Sequence, residues 1–268
     1  MVSDRSLTLR LSRLAATAAG VLVYLFLALP VLVIALSAFS PDPYPQFPPH
    51  GFSLRWFEAL MQDEGWMTSL SVSALLLVVA TPVTVALGTF AAWALARLEF
   101  RYRGALQAFI LSPLMIPQVV LGIALLYVLT AAGIAGTLSG LVIGHVVVAL
   151  PYVVRTVSVS LAAMDRRLEA VSMSLGAGRW YSFRKVTLPL IKPGIMAGAV
   201  FAAVTSFGEV SVSLFLSAPD TITVPVRVFN YVDQTFDPTV NAISVIFILL
   251  AVLLLVVIEK TLGLVRLM

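Results

Sequence analysis

Six apolar runs decide what this chain can become. They cover about 15–39, 67–96, 105–131, 138–161, 194–217 and 239–258, and each reaches the roughly 20 residues a helix needs to cross a hydrocarbon core of about 30 Å. None alternates apolar and polar residues with period two, which excludes barrel strands. Helices are then the remaining way to satisfy every backbone group in lipid. Composition agrees: 60% of the 268 residues are hydrophobic and 11% are charged, where soluble domains carry roughly 25% charged residues. The expectation is an all-α integral membrane protein, one transmembrane domain over residues 1–268 with six membrane-spanning helices.

Arg5, Arg10 and Arg13 precede the first run as the basic region of a signal peptide would. The run is longer than a signal core of roughly 7–15 residues, and Phe39-Ser40-Pro41 is not a small-x-small cleavage pattern, so a retained first helix is expected. Pro30, Pro82, Pro113, Pro117 and Pro151 lie inside the runs. Each removes a backbone donor and favours a kink, serving either irregular packing or a pathway between helices. The chain has no cysteine, which removes disulfides, thiolate metal ligands and cysteine nucleophiles. No metal site is expected.

Lysine and arginine set the orientation. Three arginines precede the first run, Arg97, Arg101 and Arg103 follow the second, and residues 162–193 hold Arg166, Arg167, Arg179, Arg184, Lys185 and Lys192; Lys260 and Arg266 follow the last run. The other side has Arg55 and Arg227 against Asp42, Glu58, Asp63, Glu64, Asp220, Asp233 and Asp237. The positive-inside rule therefore places both termini in the cytoplasm. It also accounts for the net charge of +4, so a nucleic-acid partner has no basis and the lipid bilayer is the surrounding partner.

Two outer segments are long. Residues 40–66 begin "SPDPYPQFPPHGF", a stiff, extended stretch, and continue into "LRWFEALMQ", which has amphipathic helical spacing with Trp56 and Phe57 expected at the membrane interface. Residues 218–238 form the second segment. An acidic outer surface suits an external protein, or it is simply solvated.

The inner segment 162–193 is too long to be a mere connection. "MDRRLEAVSMSLGAG" reads as a helix starting near Asp165 and broken at 176–178, and "RWYSFRKV" as a second short helix stopped before Pro189. Trp180 and Phe183 are three residues apart and share a face. Ringed by arginines, they form either a knob for a groove on another protein or anchors in the headgroup zone. The chain lacks a G-x-x-x-x-G-K-[ST] phosphate loop, so powered transport would need ATP bound elsewhere.

This segment resembles the cytoplasmic loop of binding-protein-dependent ABC importer permeases, whose pattern is Glu-Ala-Ala, three residues, Gly, nine residues, Ile-x-Leu-Pro. From Gly176 the count reaches Val186, Leu188 and Pro189. The Glu position holds Ala170, with Glu169 one residue earlier, and Val171 and Ser172 replace the alanines. That offset turns a helical side chain by about 100°. "SFGEVSVSLFLSAPDTITVPVRVFNYV" and "DPTVNAISVIFILL" are similar to the last third of the spermidine/putrescine-type permeases. The resemblance implies a MetI-like ABC importer permease in the bacterial cytoplasmic (inner) membrane, moving a small, polyamine-like or related solute. It further implies a cytoplasmic ATPase dimer holding ATP and Mg, with no cofactor on this chain, an extracytoplasmic solute-binding protein, and a second permease in a heterodimer rather than a homodimer. Residues 162–193 become a coupling loop, with Glu169, Gly176, Arg179, Trp180, Phe183, Arg184 and Pro189 as its working positions.

Polar residues within the runs are functional candidates by default. Glu209 lies about 22 Å from the inner end of the fifth run and His145 about 10 Å from the outer end of the fourth. A contact between them is open, whereas the depth of Arg155 argues against an Arg155–Glu209 pair. Glu209, Ser206, Ser211 and His145 either line a translocation path, or Glu209 satisfies backbone groups freed by Gly208 while His145 bonds a neighbouring helix. A self-sufficient secondary transporter or channel is the alternative function, although no repeat at half-length supports it. A membrane enzyme would need clustered acid–base groups.

Overall fold

In a computed structural model the described residues are 2–44, 47–234 and 238–262. Pro45, Asp237 and Arg266 lie outside the described residues, as do the side chains of Arg5, Arg10 and Asp233. Among the described residues all regular secondary structure is helical.

The chain divides into two units, Met1–Asp63 with Gln234–Leu249, and Glu64–Asp233 with Leu250–Met268. In the first, α1 (Val2–Ser37) runs on through Pro30, and its apolar side chains, Leu22, Tyr24 and Phe26 among them, are exposed as a lipid-facing helix requires. α2 (Arg55–Gln62) is amphipathic. Its Trp56 is not set out on an interface: with Leu60, one turn on, it forms the buried stripe of α2. Arg55 covers the ring at 4.4 Å, while Phe57 packs on Phe39 at 5.1 Å.

The second unit contains α3 (Glu64–Arg97), α4 (Arg103–Leu111), α5 (Gln118–Ala131), α6 (Leu138–Ala163), α7 (Arg167–Ser174), α8 (Arg179–Ser182), α9 (Leu188–Leu190), α10 (Lys192–Phe207), α11 (Ser213–Leu216) and α12 (Val224–Gln234). α13 (Thr239–Leu262) begins in the first unit and ends in the second. α6 is the centre of the second unit, packed along both α3 and α10, which also contact each other. Its Val153, Val157 and Leu161 are fully buried, and glycines on the neighbours let the backbones close on them. A Cβ on Gly88 would stand 2.6 Å from Val153 Cγ1, and one on Gly198 would stand 2.8 Å from Thr156 Oγ1 and 3.2 Å from Val153 Cα. In lipid, where apolar surface gains nothing by leaving the solvent, such close packing is a main source of helix association.

Two of the expected runs are broken. Residues 105–131 form two helices, α4 and α5, meeting at 113°. A 3₁₀ turn at Ser112–Leu114 and the extended Pro117 separate them, because Pro113 and Pro117, close together, each withdraw a backbone donor. Pro30, Pro82 and Pro151, each alone, sit in continuous helices. The run 194–217 ends its helix at Phe207, and residues 208–212 turn the chain into the short α11. By length and composition Arg13–Ser37, α3 and α6 can each cross a membrane alone; the bent pairs Arg103–Leu114 with α5, and Arg179–Leu190 with α10 (71°), qualify only as pairs; the apolar stretch Thr239–Leu253 is shorter.

The packing around α6 makes a direct prediction. Gly198→Leu should lower stability by about 1–3 kcal/mol through overpacking, seen as a reduced thermal midpoint of the detergent-purified chain. Gly20→Leu, at a position with open space around it, should leave the midpoint unchanged.

Candidate functional site

The loop between α6 and α10 is folded onto the end of α3. α7 stops at Ser174, and Gly176, at φ +88°, turns the chain back; that left-handed conformation favours glycine strongly. α8 then runs into a π-helical turn over Phe183–Thr187, continued by α9 with Pro189 in its first turn.

Glu169 is the knot. Its Oε2 accepts from Arg97 Nε at 2.6 Å, and its Oε1 accepts from the Thr187 hydroxyl at 2.6 Å. One carboxylate thus joins α7, the last turn of α3 and the π turn. The Arg97 and Glu169 side chains are only 12% and 13% exposed, so solvent screens this pair far less than a surface ion pair. An aromatic stack reinforces it. Phe183 lies 4.9 Å from Trp93 and 5.7 Å from Phe90, and Trp180 stacks on Phe90 at 6.2 Å and on Phe183 at 5.3 Å. Phe183, expected to reach a partner, is instead buried against α3, because the π turn aims it at the apolar face that Phe90 and Trp93 offer.

The opposite face of the loop is open. Trp180 and Tyr181 are 60% and 59% exposed, and Leu168, Val171 and Leu175 of α7 form an apolar ridge 46%, 57% and 84% exposed. Arg179, Arg184, Lys185 and Pro189 are exposed around them. The expected loop residues therefore separate: Glu169 and Phe183 hold the loop to the helices, Gly176 turns it, and Trp180, Arg179, Arg184 and Pro189 stand outside. Sequence reasoning missed Arg97 and Thr187. The 90/93/97 spacing of Phe90, Trp93 and Arg97 places them on one helical face, a signal that was available.

The intramembrane polar residues form a second cluster, far from solvent. His145 Nδ1 lies 2.8 Å from Ser206 Oγ, and Nε2 lies 3.0 Å from Ser213 Oγ. Ser213 Oγ donates to Glu209 Oε2 at 2.7 Å. Since the Ser213 proton is spent there, Nε2 carries a proton and donates to Ser213. Glu209 also accepts from the Val212 and Ser213 backbone N–H groups at 2.8 and 2.7 Å, acting as the cap of α11. All four side chains are buried; Ser211 is half-buried. Glu209 and His145 are thus joined through Ser213, and rather than lining an open path they tie α6, the end of α10 and α11 together. Arg155 stands apart and exposed on α6.

Comparison with known proteins places this geometry. Residues 84–262 match the family described as binding-protein-dependent transport system inner membrane component. The spermidine/putrescine transport system permease protein PotC of Haemophilus influenzae is 30% identical over 87% of this chain and 91% of its own length. The putrescine transport system permease protein PotI of Escherichia coli K12 is 30% identical over 84% of this chain and 82% of its own. The fold is similar to that of a bacterial ABC transporter involved in the import of the acidic polysaccharide alginate, at TM-score 0.73 and 16% identity, covering 92% of this chain and 96% of that one.

Arg97→Gln and Glu169→Gln should each cost roughly 1–3 kcal/mol of stability, and the double variant clearly less than their sum. Thermal unfolding of the four proteins in one detergent checks this; strict additivity would refute the pairing. Ser213→Ala strands acceptors on Glu209 and a donor on His145, and should cost a similar amount.

Proposed function

The chain belongs to the family of binding-protein-dependent transport system inner membrane components, and we propose from that premise that it is the permease subunit of an ATP-driven importer for a small polyamine-like solute. The observation that carries this reading is the two-sided loop: one side knotted to α3 through Glu169 and Phe183, the other presenting Trp180, Tyr181 and the Leu168–Val171–Leu175 ridge beside Arg179 and Arg184. A monomeric surface seldom leaves such a ridge uncovered, and buried aromatic and arginine anchors are what partner grooves hold.

The occupant we assign is a cytoplasmic ATPase dimer, which binds ATP and Mg and does the hydrolysis. Three arguments favour it: the charge bias that puts this loop inside, the missing phosphate loop in this chain, and a family described as dependent on a binding protein. Closing of the ATPase would pull on the ridge, and the Glu169–Arg97–Thr187 knot would pass the displacement to α3 as one body. The α6 packing would carry it on to α10. A second permease, different from this chain, completes the pathway, and an extracytoplasmic solute-binding protein delivers the solute to the outer segments. The polyamine assignment rests on what the relatives transport; Glu209, fully engaged within its own chain, adds nothing to it.

Purification of the chain from its native membrane in mild detergent should recover a soluble ATPase and a second permease. Leu175→Asp with Tyr181→Ala, both exposed side chains, should lose the ATPase while leaving the second permease and the thermal midpoint in place. Recovery of the chain alone, with solute uptake persisting in ATP-free vesicles, would make it a secondary transporter and overturn the reading. Competition of radiolabelled putrescine uptake by spermidine, against an unrelated anionic solute, tests the solute class.

A further inference from the structure

At the same end of the second unit as the loop, a cavity of about 390 Å³ opens between the end of α3, the start of α4 and the last turns of α6. Arg97, Arg103, Arg155 and Arg166 all line it, and its lining contains no Asp or Glu. Arginine stays charged at any accessible pH, so this concentration of positive charge calls for an anion. Within the chain it has little answer. Glu169 is committed to Arg97 and Thr187, and among the described residues Arg103, Arg155 and Arg166 form no ion pair. Arg166 donates only to the Ala96 carbonyl, at 3.3 Å, capping α3. Arg97 Nη2 is buried without any hydrogen-bond partner, a donor left waiting in a nearly closed place.

The remaining lining gives the ligand its shape. Arg103, Gln107 and Leu111 form one stripe of α4, running from charged through polar to apolar, and Val159, a neighbour of the cavity on α6, is 70% exposed. α4 buries none of its residues, and Phe109 is 75% exposed, as expected of a helix facing acyl chains. Arg155 lies about 12 Å from the end of α6, a depth from which an arginine reaches the headgroup layer. A polar floor under an apolar wall, open to lipid, fits a phosphodiester with an acyl stem. It does not fit a cationic solute, which four guanidinium groups would repel.

We propose that this cavity is a binding site for the phosphate of an anionic phospholipid from the cytoplasmic leaflet, with Arg103 and Arg155 as its principal contacts. Basic pockets between helices on that side of a membrane are the expected form of such a site. It is independent of the ATPase ridge and of the solute.

Native mass spectrometry of the full-length chain in mild detergent, titrated with phosphatidylglycerol or phosphatidylethanolamine of matched acyl chains, tests this. Phosphatidylglycerol should be retained in preference. Arg103→Gln with Arg155→Gln should weaken that retention on the order of tenfold while leaving phosphatidylethanolamine adducts and the thermal midpoint unchanged. The double Arg→Lys variant, which keeps the charge, should retain most of the binding. Undiminished phosphatidylglycerol binding in the double Gln variant would overturn the proposal, as would equal retention of the two lipids. Displacement of the lipid by inorganic phosphate, but not by chloride at equal ionic strength, would make the cavity a free-phosphate site and overturn the lipid assignment.

Discussion

Close approach of α3 and α10 to α6 is the condition on which the second unit rests. Gly88 and Gly198 give Val153 and Thr156 the space that a side chain would occupy, and Gly194 does the same for Ser160. In lipid, dispersion contacts and hydrogen bonds must supply what the hydrophobic effect supplies in water. With α6 held by both neighbours, the polar groups of the interior have fixed partners. His145 on α6 can then meet Ser206 on α10 and Ser213 on α11, and a half-satisfied network, which would be worse than an apolar core, is avoided.

From that core two ends differ in character. At one, Glu209 closes the gap between α10 and α11 by taking up free N–H groups, so the break is rigid. At the other, Glu169 joins three elements through side chains alone. Side-chain ties let a body be pushed without unfolding its backbone, which suits the transmitting role proposed for this loop. The family premise and the geometry therefore meet on the loop, and the polar cluster is read most simply as scaffold.

Much of this was legible in residues. The apolar runs announced helices, and Gly176 with Gly178 marked the turn between the loop's two helical stretches because few other residues take φ +88°. The spacing in "LRWFEALMQ" showed the amphipathic α2, though not that Trp56 turns inward with Leu60. The end of α10 was legible as one of two readings: Gly208 sits in an otherwise apolar run, and Glu209, the carboxylate that stabilises the break, follows it by one position. The fate of Phe183 was hidden because its neighbours, Phe90 and Trp93, are remote in sequence. Arg97 was read as an orientation signal, which is a count over a loop and carries no information about what one guanidinium touches.

The π turn at Phe183–Thr187 has a bearing on how this loop can change over generations. Such a turn holds one more residue than its α counterpart, so loss of a single residue between Phe183 and Thr187 can be taken up as ordinary α winding, with both side chains keeping their faces. A residue gained there has no such outlet: it would turn one flank by about 100° and take Thr187 from Glu169 or Phe183 from Trp93. Around Ala177, by contrast, where the chain meets open space at both flanking glycines, drift in length has somewhere to go.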